Sequence, residues 1–138
     1  MNKNLPEYVG MKDAAAGARC HAGSSDRVGF LVTATAGATI TLTQHNAATA
    51  GASKPLATDN LSYFKAVGAT AFVVDRPVEL AFDENRTIAG AGLFYIEVES
   101  SQLDTNGGFT HVSITGATGA VIAFAIDARH GNAYNVAF

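Results

Sequence analysis

The feature that most constrains this chain is a two-residue alternation of apolar and other side chains, repeated in short runs. Residues 28–34 place Val28, Phe30, Val32 and Ala34 on one side of an extended backbone. Successive side chains of a strand point to opposite faces, so such a run is typical of a strand with one buried face. Comparable runs predict further strands at residues 39–44, 61–67, 69–75, 78–82, 92–99, 110–114 and 121–127.

Residues 28–34 and 39–44 also predict a hairpin, because only a short turn with Ala36-Gly37 separates them. In the second run the aliphatic side chains of Ile40 and Leu42 face inward and the threonines outward. For residues 121–127 the inward set is expected to be Ile122, Phe124 and Ile126. For residues 92–99 the predicted core face carries Phe94, Ile96 and Val98, and one helical turn should follow at residues 100–104.

About eight short strands at near-regular spacing, with no long helical pattern, predict an all-β fold. The expected architecture is an antiparallel β-sandwich, jelly-roll-like, although an immunoglobulin-like sandwich would give the same alternation. Residues 1–25 lack this periodicity and contain Pro6 and several glycines. They are expected to form an extended N-terminal arm, with a disordered leader as the alternative, and residues 26–138 the β-sandwich domain.

Composition favours a protein that packs against other proteins. The 138-residue chain is 48% hydrophobic but only 15% charged, against about 25% charged in ordinary domains.

A net charge of −3 without a clustered basic face argues against nucleic acid as a partner. No run approaches the ~20 apolar residues of a membrane helix, and the first residues do not resemble a signal peptide. Synthesis in the cytoplasm is therefore expected.

The sequence contains no catalytic or metal-binding motif that outweighs a structural interpretation. The four histidines, His21, His45, His111 and His130, have no ligand spacing, and surface or strand-edge positions are expected for His45 and His111. The pair Glu97 and Glu99 should share a solvated face or contact a basic neighbour. Residues 104–108, DTNGG, echo the start of a calcium loop but lack its later ligands, so a structural turn is expected.

The single cysteine, Cys20, cannot form an internal disulfide, and its neighbour His21 does not make it a nucleophile on an extended segment. We therefore expect no enzymatic activity, no cofactor and no metal.

Two segments resemble small virion structural proteins of tailed bacteriophages. The first is AGATITLTQ at residues 36–44, followed by an Ala/Gly-rich loop and KPL at 54–56. The second is FYIEVE at residues 94–99, followed by QLD at 102–104 and GFTHV at 108–112. That group carries a strand ending in E-V-(D/E) and then a DLD turn, whose first acid is replaced here by Gln102. The resemblance covers about residues 28–127 and contains no catalytic signature.

The resemblance implies a capsid decoration (cement) protein on the outer capsid surface of the virion. Its partner would be the major capsid protein, and a homotrimer is the expected assembly. The alternative is a tail- or baseplate-associated or host-surface-binding module, which a shallow polar pocket between residues 44–58 and Tyr63 or Tyr95 would favour. The family pattern carries no functional residues over. Contacts with the partner are instead expected from apolar residues of the arm: Leu5, Tyr8, Val9 and Met11.

Overall fold

A computed structural model describes residues 11–22, 25–56, 62–65, 78–81, 87–88 and 90–128. Over these ranges the chain forms twelve strands and one 3-10 turn, Ser100–Gln102. The strands are β1 (Met11–Asp13), β2 (Cys20–His21), β3 (Ser25–Ala34), β4 (Ala38–Thr39), β5 (Thr41–His45), β6 (Ser53–Pro55), β7 (Ser62–Lys65), β8 (Val78–Ala81), β9 (Thr87–Ile88), β10 (Gly92–Glu99), β11 (His111–Thr115) and β12 (Val121–Ala128).

The strands form two main antiparallel sheets. The larger sheet has the order β1-β12-β3-β10-β7-β8 and the smaller sheet the order β2-β11-β5-β6, while β4 and β9 form a separate pair. Every strand pairing in these sheets is antiparallel. The predicted all-β class is therefore confirmed, and so is the helical turn after β10.

One hydrophobic core takes side chains from both sheets, and it follows the alternation of the sequence. From the larger sheet, Phe30 of β3 and Phe94 of β10 are fully buried, and Leu42 and Ile114 enter from the smaller sheet. Full burial of such side chains stabilises the fold by about 1.5–3 kcal/mol each. The predicted inward sets of residues 28–34, 39–44 and 92–99 are all buried: Val28, Phe30, Val32, Ala34, Ile40, Leu42, Phe94, Ile96 and Val98.

The predicted hairpin between residues 28–34 and 39–44 is wrong. β3 pairs with β10 and β12 in the larger sheet, whereas β5 pairs with β11 and β6 in the smaller one. The short turn at residues 35–37 therefore leads the chain out of one sheet, through β4, and into the other. Alternation specifies which face of a strand is buried, but not which strand lies beside it.

The predicted inward face of β12 is also wrong. Val121 and Ala123 are buried, whereas Ile122 is 37% exposed. Ala123 lies opposite Phe30 in the register with β3, so the small side chain accommodates the large one in the core. Both faces of β12 are apolar, and periodicity alone did not distinguish them.

The segment expected to be an arm belongs, in residues 11–22, to both sheets. β1 pairs with β12 at the edge of the larger sheet, and β2 pairs with β11 at the edge of the smaller one. Three residues of this segment are buried in the core: Ala14 directly after β1, Cys20 in β2 and Ala22 directly after β2. Residues 1–10 lie outside the described residues, as does the strand expected at residues 69–75.

Candidate protein-binding surface

The larger sheet turns an apolar surface away from the core. The register of β1, β12, β3, β10 and β7 brings alternate side chains of these strands onto that side. Met11 is 62% exposed, Leu93 is 39% exposed and Ile122 is 37% exposed. We call this surface the outer face; its apolar members are Met11, Leu31, Phe64, Leu93, Tyr95, Ile122, Phe124 and Ile126. Contiguous exposed apolar surface of this kind marks sites of protein interaction.

A shallow groove runs along the edge of the outer face, between β1 and the residues that lead into β12. It measures about 480 Å³ and is lined by Met11, Lys12, Asp13, Ala15, Ala120, Val121 and Ile122. Most of the lining residues are apolar and two, Lys12 and Asp13, are charged, a mixture that suits an interface with an apolar centre and a polar rim.

A polar cluster interrupts the apolar surface at the centre of the larger sheet. The Tyr95 hydroxyl donates to Glu97 Oε2 at 2.9 Å, and the Arg27 guanidinium forms an ion pair with Glu97 Oε1. Of the two glutamates expected in solvent or beside a basic neighbour, Glu97 thus contacts a base. Glu99 accepts a hydrogen bond from the Ser101 hydroxyl beside the 3-10 turn.

The side of the smaller sheet that faces away from the core has a different character. It presents uncharged hydroxyls from β5 and β11, where Thr41 and Thr115 are exposed and Thr43 is half-buried. Thr41 and Thr115 are direct cross-strand partners, as are Thr43 and Ser113.

Three of the four histidines meet on this same side of the smaller sheet. His21 of β2, His111 of β11 and His45 of β5 are successive cross-strand partners, and we call them the histidine row. The rings of His21 and His111 meet edge to face, with 4.7 Å between their centroids. The expected surface or edge placement of His45 and His111 is wrong, since they are only 7% and 8% exposed.

Burial is the main influence on the pKa values of the row. It lowers the pKa of His111 to about 4, with smaller contributions from the positive charges of His21, Lys12, His45 and Arg19. Burial also lowers the pKa of His45, with help from Arg19, and the pKa of His21. Removing an imidazolium from water costs free energy, so the neutral rings are favoured.

Sequence reasoning missed this row because the histidines are far apart in the chain. Only the pairing of β2 with β11 and of β11 with β5 brings them together. His45 directly follows the strand predicted at residues 39–44 and His111 lies within the strand predicted at 110–114, but strand order is needed to bring the two together.

The turn at residues 104–108 is held by its own acid. Asp104 Oδ1 accepts from the backbone N–H of Gly107 at 2.9 Å, and the Lys54 ammonium forms an ion pair with Oδ2. These bonds lower the pKa of Asp104, the Lys54 bond most. The Lys54 ammonium also lies 4.5 Å from the centroid of the Phe109 ring. The carboxylate therefore acts as a structural part of the turn, as expected.

No group of at least three His, Cys, Asp or Glu side chains in the described ranges is arranged to hold a metal ion. Burial raises the pKa of the Cys20 thiol to about 11, against a small opposing effect of Lys12. Within the described parts of the chain, no helix is long and apolar enough to cross a membrane.

Of the residues expected to contact a partner, Met11 lies on the outer face and lines the groove. Leu5, Tyr8 and Val9 lie outside the described residues. Tyr95 belongs to the larger sheet, whereas the loop after β5 follows a strand of the smaller sheet. In that loop the carbonyl of Ala47 accepts a hydrogen bond from Arg19 at 2.9 Å.

Comparison with known proteins gives no match to a protein-family model, a curated protein or a solved structure.

Proposed function

We propose that this protein is a structural component of a phage virion, a capsid decoration (cement) protein that binds and stabilises the major capsid protein lattice. It acts by binding and not by catalysis, without a cofactor, and it neither contacts nucleic acid nor enters a membrane. Its place is the outer capsid surface, after synthesis in the host cytoplasm. The two sheets would form a jelly-roll-like β-sandwich, and residues 1–10, which lie outside the described residues, belong to the arm expected at residues 1–25.

The observation that carries the proposal is the apolar outer face of the larger sheet. A sheet face that exposes Met11 and Ile122 is stabilised when another protein covers it. A protein that binds the assembled lattice, and not the separate subunits, stabilises the lattice by mass action. Many copies, each with a modest interface, then act together. The resemblance in residues 28–127 supports the same conclusion from the sequence.

Contacts would come from the edge groove and from the arm. Met11 begins β1, so the apolar residues Leu5, Tyr8 and Val9 would extend the contact surface beyond the groove. The uncharged threonines of the smaller sheet would support lateral packing in a homotrimer, since closed cyclic symmetry is common among such assemblies.

The test is binding of the purified full chain to phage particles that carry the cognate major capsid protein but lack this protein. We expect saturable binding over the whole shell, with one or more copies for each capsomer, visible by electron microscopy. Binding at a single vertex would instead support the tail-associated alternative. Failure to bind the particles at any site would overturn the proposal.

A pair of matched variants tests the surface. Replacing Ile122 by Lys places a charge in the apolar groove and should weaken binding by roughly a hundredfold, as expected for a residue at the centre of an interface. The control is Asn106→Lys, an exposed position in the turn at residues 104–108, which should bind like the wild type. Deleting residues 1–10 leaves all described strands in place and tests the arm separately. Equal loss of binding in I122K and N106K would remove the outer face from the proposal.

A further inference from the structure

The histidine row joins three strands through side chains that change charge in mildly acidic solution. Direct cross-strand partners have Cβ atoms about 5 Å apart, so His111 has an imidazole on each side, from His21 and from His45. Neutral rings pack together in this arrangement, as the edge-to-face contact of His21 and His111 shows. Two or three imidazolium ions at this spacing would repel one another in a buried site.

The surroundings of His45 also favour a neutral ring. His45 Nε2 lies 2.7 Å from Ser113 Oγ, and its buried Nδ1 has no hydrogen-bond partner. In the neutral tautomer whose Nε2–H donates to Ser113 Oγ, the Nδ1 atom carries no hydrogen. A second proton would create a buried N–H group without an acceptor, which costs free energy beyond the burial of the charge.

The charged groups in the described part of the chain that influence His111 are all bases. They come from each neighbouring element: Lys12 from β1, Arg19 and His21 from the β2 segment, and His45 from β5. Lys12 Nζ donates to the carbonyl of Arg19 at 2.9 Å. The Arg19 guanidinium donates to the carbonyls of Ala47 and Ala50 after β5, so this side chain spans from one side of the row to the other. Cys20, the other titratable group of β2, is buried in the core.

Strand β2 is the element that such repulsion would displace first. It is an edge strand with only two registered pairs to β11, whereas β5 has five pairs to β11 and three more to β6. Separating β2 therefore breaks the fewest backbone hydrogen bonds.

From these contacts we propose that the histidine row is an acid-operated latch. Protonation of His21 and His111 places like charges side by side between β2 and β11, and protonation of His45 adds to the positive charge. The repulsion releases β2, with the segment around Arg19, before the larger sheet unfolds. This proposal does not depend on the proposed capsid function. In neutral solution the histidine row keeps residues 14–22 packed against the core, and in acid these residues separate from it.

Cys20 is a built-in probe, because it is the single cysteine of the chain and is fully buried in β2. The full-length protein is labelled with 4,4′-dithiodipyridine, a reagent that reacts with thiols in acid, from pH 7.5 to 4.5. The rate is divided by that of glutathione at each pH. We expect the normalised rate to rise by roughly tenfold or more on acidification, since each pKa unit of differential proton binding changes the opening equilibrium about tenfold. Far-ultraviolet circular dichroism should remain native over the same range.

The variant His111→Gln keeps a polar side chain but cannot be protonated, and it should flatten the pH dependence of labelling. Glu99→Gln removes a titratable group from the larger sheet and should leave the dependence unchanged. Because H111Q can fail to fold, histidine NMR of the wild-type chain gives a second measurement. Normal titration of all four imidazoles, a flat labelling rate, or labelling that rises only with loss of the whole fold would each overturn the proposal.

Discussion

The hydroxyl of Tyr95 lies directly over the α-carbon of Gly29, at the centre of the outer face. A Cβ atom on residue 29 would stand 2.4 Å from the Tyr95 hydroxyl oxygen and 2.8 Å from Ile126 Cδ1. Glycine therefore leaves room for the Tyr95 hydroxyl above β3, where it donates to Glu97 of the same strand, β10. The polar cluster on the outer face depends on this missing side chain.

We expect Gly29→Ala to destabilise the protein by about 1–3 kcal/mol, the usual cost of overpacking a filled site. The Tyr95 ring can move, but it then loses its bond to Glu97. In a Tyr95→Ala background the same substitution should cost less, and urea denaturation of the four proteins gives the coupling energy. If the two substitutions change the free energy of unfolding additively, the contact between Gly29 and Tyr95 does not contribute to stability.

Gly116 needs to be glycine for two other reasons. Its backbone adopts the left-handed conformation, and it lies against the backbone of another strand. Its φ is +91°, and a Cβ would lie 2.0 Å from the carbonyl oxygen of Thr39. Gly116→Ala should therefore cost roughly 3 kcal/mol or more, because left-handed strain and a backbone clash combine.

Gly108 provides a matched control for Gly116. Its φ is +82°, but a Cβ there would meet nothing within 4 Å. Gly108→Ala should cost about 1 kcal/mol from strain alone. Thermal unfolding of both variants measures the difference, and equal losses would show that the Thr39 contact contributes little.

The sequence predicts which face of each strand is buried far better than it predicts which strands lie side by side. Val28, Phe30 and Val32 are buried because their alternation admits only one apolar face. In β12 both faces are apolar, and the size match of Ala123 with Phe30 decides the inward side, which requires knowing that β12 lies beside β3.

The same missing information explains the candidate sites. His45 and His111 are separated by almost half of the chain, and their pairing depends on strand order. The apolar character of Met11 predicts a partner contact, but its position beside Phe124 follows from the pairing of β1 with β12. Pairwise register is a property of the whole packed structure, and alternation within a strand does not contain it.

Stability should fall as the solution becomes acidic, because His111 binds its proton more weakly in the folded state. Its pKa is lowered from 6.5 to about 4, so the unfolded chain binds more protons between these values. The contribution of neutral His111 is complete above about pH 6.5 and is lost progressively toward pH 4, by roughly 3 kcal/mol in total.

Urea denaturation at several pH values measures this effect. His111→Gln should reduce the slope of unfolding free energy against pH in that window, and the difference from the wild type removes the contribution of the carboxylates. An identical slope in both proteins would show that His111 titrates normally.

Removing residues 1–22 should prevent stable folding, although these residues resemble a dispensable arm. The deletion takes away one edge strand from each main sheet, β1 and β2, and the buried side chains of Ala14, Cys20 and Ala22. It also exposes core side chains beneath them, and a domain with a total stability of about 5–15 kcal/mol does not withstand such losses. Circular dichroism and thermal unfolding should show no cooperative transition. The matched deletion of residues 1–10 retains every described strand and should unfold cooperatively. If the longer deletion melts at the wild-type temperature, the two N-terminal strands are peripheral to the fold.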